Sequence, residues 1–514
     1  MKNFRFLKIT VGMTTLAGLL LSAVAFSDVL IDPSLRPFAL SESTGTARVL
    51  ILVKGVASNL HPQRYDRGSV ISYYKDTARR SIEPLLVSYQ NKELTGVRFL
   101  SLYWINGALL ADVTPQGLRN LSNQPTVTKI YNNKRMSFEP GLNARPARRR
   151  NADGIKSDYA FPSIGLDKLI KEEPQITGQG VLVGVVDTGV DDTHPALAGK
   201  IPLYYNGEEK KVGPAKDFDT HGTHVSGTIA GGDRQNNLIG VAPGAKIVMA
   251  GVVEQGYDAM IDGMQWFLDA EKNPIVANKI RAVGCSWNSG GAPDQEVFYR
   301  AIAAWEAAGI LPVFSAGNNG DGGITNPHEY PGTFAVAAYG SDGKVASFSS
   351  RGPGHYKGQD TQKPDIAAPG VDITSSVPGG KYEEMSGTSM AQPHVTGTTA
   401  LLLQVKADLN PAQLREVLVK SAVAADGQTA GEWSKEYGFG KLNAYNAVKM
   451  VSSLQFEMNT SMFLNKMVLN PMGPKALDTQ SFSTASLGEV GSEIDQYNDT
   501  DTSRWLTATQ VYAE

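Results

Sequence analysis

Three glycine-flanked turns of the sequence each carry one side chain suited to acyl transfer. The stretch "VVDTGV" places Asp187 at the end of a predicted strand, while "HGTHVSGT" and "GTSMAQPHV" place His221 and Ser389 at the starts of predicted helices. A serine hydroxyl is a poor nucleophile until a base removes its proton, and a carboxylate can hold that base in the required tautomer. The three residues together therefore predict hydrolysis through a serine nucleophile, although each alone could be a helix cap or a core residue.

The same chemistry needs a donor for the negative charge that develops on the attacked carbonyl oxygen. The stretch "FSAGNNG" supplies Asn318 on a turn that follows a predicted buried strand. His224 and His394 lie close to these motifs, and we expect both to be structural. The sequence thus contains four residues that could form one catalytic centre, far apart along the chain.

Residues 151 onward alternate between apolar runs and helical patterns, which favours a parallel sheet covered by helices on both faces. In such a sheet, the loops at the carboxyl ends of the strands form the natural crevice for a site. The predicted strands are 180–187, 246–253, 280–287, 310–317, 333–339 and 371–377, and the predicted helices are 221–232, 257–272, 294–309 and 410–423, the last capped by Asn410.

A smaller unit precedes this region. We predict a strand at 47–54, a helix at 72–90, a strand pair within 96–113, a helix capped by Thr114 and a strand at 126–132. The unit is α+β and self-contained. It ends in the polybasic stretch "NARPARRR" (143–150), which is either a linker or processing site or simply a solvated run of charge.

The first 27 residues have the pattern of a secretory signal. Lys2, Arg5 and Lys8 precede an apolar run at 9–25 that ends in small residues, with an exit after Ala25 or Ser27. An anchoring helix is the alternative, but the run is short and interrupted by glycine and threonine. No later segment is apolar for long enough to span a bilayer, so we expect a protein secreted to an extracellular or periplasmic compartment.

Charge is divided unevenly along the 514 residues. Residues 28–150 carry 18 Lys and Arg against 9 Asp and Glu, whereas residues 151–514 have a net charge of −15. Two parts of opposite charge attract each other, and the basic residues are too scattered to indicate nucleic-acid binding. Because Cys285 is the only cysteine, no intrachain disulfide can form, and we expect this thiol to be buried and inert.

The sequence resembles the subtilisin-type serine proteases, and most closely their bacillopeptidase F branch. The resemblance covers most of residues 151–450, with "VVDTGV", "HGTHVSGT", "SAGN" and "GTSMAQPHVTG" in the family order. It implies that Asp187 orients the base, His221 is the base and then the acid, and Ser389 is the nucleophile. Asn318 and the Ser389 N–H would form the oxyanion hole, with Pro393 in the first turn of the following helix.

The resemblance also suggests which residues contact substrate. Small, uncharged residues would form the floor of the S1 pocket, and we expect Trp287 to line a subsite, so cleavage should follow apolar or aromatic residues. The candidates are Ser286, Trp287, Asn288, Ser315, Ala316 and Gly317.

Residues 46–135 resemble the inhibitory propeptide of the same family. The expected organisation is a signal peptide (1–27), a propeptide (28–150), a peptidase domain (151–452) and an extension of unknown role (453–514). The resemblance implies a monomeric secreted endopeptidase, made as a zymogen, whose partners are protein or peptide substrates and its own propeptide. It implies no cofactor for catalysis, no nucleic acid and no membrane after signal removal, and it allows structural calcium whose ligands the sequence does not identify.

Two other functions fit the same fold. A catalytically silent binding or structural protein would have lost a triad or oxyanion residue, and none is lost here. A processing protease that cuts one partner at a basic site would need an acidic S1 or S2 wall, which is not visible in the sequence but could come from long loops.

Overall fold

The fold is taken from a computed structural model that describes residues 29–55, 66–135, 149–150, 159–233, 238–269, 279–288 and 296–453. The predicted signal peptide and, apart from Ser453, the C-terminal extension lie outside these residues. So do residues 143–148 of the polybasic stretch. Among the described residues, no helix combines the length and the apolar character needed to cross a membrane.

The N-terminal unit contains all the elements predicted for it. Its five strands form one sheet in the order β1-β5-β2-β4-β3. Its elements are β1 (Leu30–Ile31), α1 (Arg36–Ala39), β2 (Ala47–Val53), α2 (Arg67–Gln90), β3 (Val97–Tyr103), β4 (Ala108–Val113), α3 (Pro115–Ser122) and β5 (Val127–Asn132).

Side-chain caps define where the helices of this unit begin. Asp66 accepts a hydrogen bond from the Ser69 N–H, so α2 starts five residues earlier than the pattern at 72–90 predicts. Thr114 caps α3 with Pro115 at its first position, as predicted.

The larger unit consists of the remaining elements. Its strands are β6 (Arg149–Arg150), β7 (Leu182–Asp187), β8 (Leu203–Asn206), β9 (Lys211–Val212), β10 (Lys246–Gly251), β11 (Ala282–Cys285), β12 (Leu311–Ser315), β13 (Phe334–Tyr339), β14 (Gly354–Tyr356), β15 (Gln359–Thr361), β16 (Ile366–Pro369), β17 (Ile373–Val377) and β18 (Lys381–Met385). Its helices are α4 (Ala160–Ser163), α5 (Leu166–Glu172), α6 (His221–Ala230), α7 (Tyr257–Trp266), α8 (Glu296–Ala307), α9 (Thr388–Val405), α10 (Pro411–Lys420) and α11 (Ala444–Ser452).

Eight strands form the central sheet, in the order β16-β13-β12-β11-β7-β10-β8-β9. All neighbours pair in parallel except the edge strand β9, which is antiparallel to β8. One apolar core contains residues of α6, α9, α10 and α11, and a second contains residues of α7 and α8. The predicted α/β fold, with a parallel sheet covered on both faces, is therefore confirmed.

One predicted strand does not belong to that sheet. The run at 371–377 forms β17, which pairs antiparallel with β18 in a separate three-stranded sheet. Gly379 and Gly380, both with positive φ, allow a tight hairpin here instead of the helical crossover that parallel strands require. Arg149–Arg150 add the third strand, so the end of the polybasic stretch is paired by its backbone rather than free. Several elements of the larger unit were not predicted from the sequence: strands β8, β9, β14, β15, β16 and β18 and helices α4, α5 and α11.

The N-terminal unit packs on the face of the sheet that α7 and α8 cover. Residues of β2, β3 and β4 share the second apolar core with these helices. Lys129 lies 2.6 Å from Glu296, and Arg300 donates to the carbonyl of Val53 at 2.9 Å. The Asn106 side chain donates to the carbonyl of Val297 at 2.9 Å. The contact therefore combines apolar burial with polar pairs that cross between the two units.

The end of the N-terminal unit caps helix α7. The Asn133 side chain accepts from the Asp258 N–H at 3.0 Å, and the Lys134 carbonyl accepts from the Tyr257 N–H at 3.1 Å. Arg135 then forms an antiparallel bridge with Gly256. Because free N–H groups at a helix start need acceptors, these contacts stabilise both the helix and the path of the chain that leaves the unit.

Candidate active site

The four predicted catalytic residues lie where strands end or helices begin. Asp187 is the last residue of β7, and His221 is the first residue of α6. Ser389 is the second residue of α9, and Asn318 follows the end of β12. The carboxyl ends of the parallel strands β7 and β12, which flank β11, lie at one edge of the sheet, where the strand-to-helix turns form a crevice.

Asp187 and His221 form a buried pair. His221 Nδ1 lies 2.7 Å from Asp187 Oδ1, and the two side chains are 4% and 1% exposed. Burial alone would lower the pKa of His221, but the carboxylates of Asp187, Asp217 and Asp219 together outweigh it, so the net effect raises the pKa. The Thr188 N–H also donates to Asp187 Oδ1 at 2.8 Å, which fixes the carboxylate. This arrangement can hold one imidazole tautomer and stabilise its protonated form.

Asp217, which the sequence reading missed, ties the Asp187 turn to helix α6. Its Oδ1 accepts from the Thr188 hydroxyl at 2.7 Å, and its Oδ2 accepts from the hydroxyl and N–H of Thr223 at 2.5 and 2.9 Å. Burial raises the pKa of Asp217 against the opposing effect of these bonds. Its partners lie on other turns of the chain, so no local motif of the sequence marks it.

Close backbone contact explains a glycine in the same motif. A Cβ atom added to Gly222 would lie 2.0 Å from the carbonyl oxygen of Gly189. The turn after Asp187 and the first turn of α6 therefore approach each other only because residue 222 has no side chain.

Ser389 lies in contact with Ser286 from the turn after β11. The Ser389 hydroxyl donates to the Ser286 carbonyl at 3.4 Å, and the Ser286 hydroxyl lies 3.3 Å from the Ser389 carbonyl and 3.0 Å from Gln392 Oε1. Pro393 is inside α9, at its sixth position, so the prediction that it lies in the first turn is wrong. In a regular helix, the N–H of residue 393 would donate to the Ser389 carbonyl. Because proline has no N–H, this carbonyl faces the Ser286 hydroxyl instead.

Asn318 is held by the residue before the nucleophile. Its Oδ1 accepts from both the N–H and the hydroxyl of Thr388, each at 2.9 Å. Because both contacts are made to the oxygen, the orientation of the amide is fixed and Nδ2 lies on the side of Gly387. A Cβ atom added to Gly387 would lie 3.8 Å from this nitrogen. An amide N–H is thereby presented beside the start of α9.

A pocket lies beside Ser389 and encloses about 240 Å³, including the space open to solvent at its mouth. Five of the six predicted substrate-contact residues line it, and Ala316 does not. Ala316 instead packs with Ile324 and Ala335, because alternate residues along an extended segment point to opposite sides. The lining residues are Ser286, Trp287, Asn288, Ser315, Gly317, Asn318, His328 and Ser389.

Trp287 lines this pocket as expected, with its ring held from behind. The indole is only 3% exposed and packs against Phe298 and Phe314, with ring centroids 5.4 and 5.2 Å away. His328 is a lining residue that the sequence reading did not identify. It lies on a loop ten residues beyond Asn318, and no motif signals it.

The other histidines near the motifs are buried away from the pocket. His224 Nε2 lies 3.0 Å from the Ile373 carbonyl, and burial lowers its pKa to about 3. His394 Nδ1 lies 2.9 Å from the Met390 carbonyl, and burial lowers its pKa to about 4. Cys285 is also fully buried, which raises the pKa of its thiol. These positions agree with the structural and inert roles expected for the three residues.

The described residues contain no group of three or more His, Cys, Asp and Glu side chains that could hold a metal ion. They therefore offer no side-chain cluster that fits the structural calcium allowed by the resemblance.

Comparison with known proteins gives one consistent set of relatives. The model of the subtilase family matches residues 178–440. Bacillopeptidase F of Bacillus subtilis (strain 168) is 35% identical over 429 residues, which are 75% of this chain and 29% of that protein. Fervidolysin of Fervidobacterium pennivorans is 30% identical over 458 residues, 78% of this chain and 60% of that protein. The chain thus spans less than two thirds of either relative.

Two further comparisons agree. An intracellular serine protease of Paenibacillus polymyxa is 36% identical over 266 residues, 48% of this chain and 76% of that protein. The crystal structure of fervidolysin, described as a keratinolytic enzyme related to subtilisin, matches with a TM-score of 0.56 and 24% identity. That match covers 82% of this chain and 63% of the other, and it shows that the fold is shared.

Proposed function

The chain belongs to the subtilase family, and from this premise we propose that it is a secreted serine endopeptidase made as a zymogen. Peptide bonds would be hydrolysed through an acyl-enzyme on Ser389. The observation that carries the proposal is the buried 2.7 Å contact between His221 Nδ1 and Asp187 Oδ1, at the edge of the sheet where Ser389 and the fixed Asn318 amide also lie.

In the first half of the reaction, Ser389 Oγ attacks the carbonyl carbon of the scissile bond, and His221 Nε2 takes the hydroxyl proton. Asp187 accepts the Nδ1–H bond throughout and stabilises the imidazolium. The negative charge on the former carbonyl oxygen is stabilised by Asn318 Nδ2–H and the Ser389 N–H. When the tetrahedral intermediate collapses, the C–N bond breaks and His221 returns its proton to the leaving amine.

In the second half, a water molecule takes the place of the amine. His221 accepts a proton from the water as its oxygen attacks the acyl carbon, and it then returns a proton to Ser389 Oγ as the ester bond breaks. The products are a new carboxyl terminus and the free enzyme. This chemistry uses side chains, backbone and water, with no cofactor.

The N-terminal unit would be the prosegment that inhibits the enzyme before processing. The support is its packing on α7 and α8, its cap on α7 through Asn133, and the bridge between Arg135 and Gly256. Opposite net charges of residues 28–150 and 151–514 favour the same association. The proposed organisation remains a signal at 1–27, a prosegment at 28–150, a peptidase domain at 151–452 and an extension from 453.

Protein or peptide substrates would be the partners of the mature enzyme. Its location would be extracellular or periplasmic, in keeping with the charged and apolar pattern of residues 1–27. Mass mapping of both termini of the secreted protein would test the processing points directly.

Replacement of the nucleophile and of the base tests the proposed activity. We expect Ser389→Ala to fold but to show no detectable peptidase activity and no maturation. Ser389→Ala and His221→Ala should each cost several orders of magnitude in kcat, and the double variant should cost little more, because the residues act as a unit. Hydrolysis of a casein or peptide-library substrate gives the readout. Retained activity in Ser389→Ala, or additive losses in the double variant, would refute the assignment.

A further inference from the structure

His328 is a buried histidine in the wall of the pocket beside Ser389, and its backbone is firmly held. Its N–H donates to the Thr325 carbonyl at 2.9 Å, and its carbonyl accepts from the Thr333 hydroxyl at 2.8 Å. The residue is therefore fixed by the loop that carries it.

The imidazole ring stands directly behind the glycine floor of the pocket. Its Cδ2 would lie 3.6 Å from a Cβ placed on Gly317. The ring packs edge to face against Phe314, with centroids 6.1 Å apart and an interplanar angle of 74°. These contacts leave the ring little freedom to rotate away.

One ring nitrogen of His328 faces the backbone carbonyl of Ser315, and the other has no hydrogen-bond partner among the described residues. Burial lowers the pKa of His328 to about 4, against a smaller opposing effect of the nearby Ser315 carbonyl. The neutral ring directs its one N–H toward the Ser315 carbonyl, so its other nitrogen is an acceptor without a partner among the described residues.

A buried polar group without a partner costs about 1–3 kcal/mol, and a substrate group that supplies the partner recovers part of that. The described lining residues include no Asp, Glu, Lys or Arg. A charged substrate side chain would therefore lose its hydration without gaining a counter-charge.

We propose that His328 makes the pocket select, on the acyl side of the scissile bond, a side chain that ends in a neutral hydrogen-bonding group. Tyrosine would be preferred over phenylalanine, and glutamine over methionine. The inference rests on the proposed peptidase function and adds the class of residue that the pocket recognises.

The test compares peptides that differ only in the residue before the scissile bond. The full chain is first allowed to process itself. The ratio of kcat/KM for tyrosine to that for phenylalanine, and the same ratio for glutamine to methionine, should then each be at least about tenfold. The reason is that a site built for hydrogen bonding rejects the analogue that lacks the group. His328→Leu should bring both ratios close to one, and His328→Gln, which keeps a donor and an acceptor, should retain part of them. His355→Leu, a change at an exposed histidine, should leave the ratios unchanged.

Labelling of Ser389 with a fluorophosphonate counts active sites and separates two kinds of failure. No labelling and no hydrolysis of any peptide would contradict the proposed function itself. With normal labelling, any one of three results would overturn the role of His328 alone. These are wild-type ratios near one, ratios that do not change in His328→Leu, and a preference for charged residues. If His328→Leu does not fold, the wild-type ratios and His328→Gln still decide the question.

Discussion

The hydroxyl of Ser286 lies 3.3 Å from the carbonyl oxygen of Ser389, the carbonyl that Pro393 leaves without a helical donor. The single proton of this hydroxyl is shared between that carbonyl and Gln392 Oε1, 3.0 Å away, so a side chain from the turn after β11 replaces part of the hydrogen bond that the helix cannot make. This contact holds the backbone of the nucleophile against the wall of the pocket.

We therefore expect Ser286→Ala to lower the free energy of unfolding by about 1 kcal/mol, the value of one ordinary hydrogen bond. The measurement is best made by denaturant unfolding in a Ser389→Ala background, which keeps the carbonyl and removes self-digestion. When Pro393→Ala is added to this background, residue 393 regains an N–H that can donate to the Ser389 carbonyl. Ser286→Ala should then lower the free energy of unfolding by less. Equal costs with and without Pro393 would show that the two residues do not share this carbonyl. Ser453→Ala, at an exposed serine, is the control.

Asn318 is held by two bonds to its oxygen, which leaves its N–H group for the substrate. We expect Asn318→Ala to lower kcat by about 10²–10³ with KM nearly unchanged, a range known from subtilisin, itself a member of this family. The reason is that the bond strengthens only in the transition state. Steady-state kinetics on one peptide provide the check, and a raised KM with normal kcat would place Asn318 outside the oxyanion hole.

The charges around His221 predict a change in pH dependence. The carboxylates of Asp187, Asp217 and Asp219 all raise its pKa, against the opposing effect of burial. Because the base must be neutral to act, the acid limb of the kcat/KM profile reports this pKa. Asp217→Asn should therefore move that limb to lower pH while keeping most of the activity at neutral pH. Asp342→Asn, a change on a distant turn, should leave the profile unchanged, and an unmoved limb in Asp217→Asn would contradict the coupling.

The sequence could suggest the proposed catalytic residues because each is marked by local chemistry. Asp187 and His221 lie on turns whose glycines permit close backbone contact, and the helix caps at Thr114 and Asn410 obey rules that act within four residues. Such signals are contained in short stretches of sequence. They can be recognised without knowledge of the tertiary structure.

Residues whose roles depend on distant contacts could not be predicted in the same way. Asp217 and His328 acquire their partners from elements elsewhere in the chain. The side to which Ala316 points depends on how β12 ends, and the sheet that contains β17 depends on a glycine hairpin rather than on its apolar pattern. Periodicity identifies a buried strand but does not identify its neighbours.

Buried histidines predict a loss of stability in acid. Burial lowers the pKa of His394 to about 4, whereas a histidine in an unfolded chain titrates near 6.5. Below pH 6.5 the unfolded chain binds a proton that the folded chain does not, so stability decreases as the pH falls towards 4. Between pH 6.5 and 5, this residue should lower the free energy of unfolding by about 2 kcal/mol. His394→Leu in the Ser389→Ala background should flatten the dependence, and His355→Leu should not; an unchanged slope would mean that His394 protonates without unfolding.

The last prediction concerns the contact between the N-terminal unit and the peptidase domain. Lys129 Nζ lies 2.6 Å from Glu296 Oε2, with both side chains less than a fifth exposed, so the pair is only weakly screened. We expect separately produced residues 28–150 to inhibit the mature enzyme, with a slower association rate at high salt because long-range attraction is screened.

Lys129→Met in that unit should weaken inhibition at least about tenfold, because Glu296 loses a partly buried partner. Lys54→Met removes the same charge from an exposed position and serves as the control. Inhibition constants at low and high salt give the measurement. If both variants weaken inhibition equally, only the net charge of the unit matters. If the unit neither inhibits the enzyme nor helps residues 151–514 refold, it is not a prosegment.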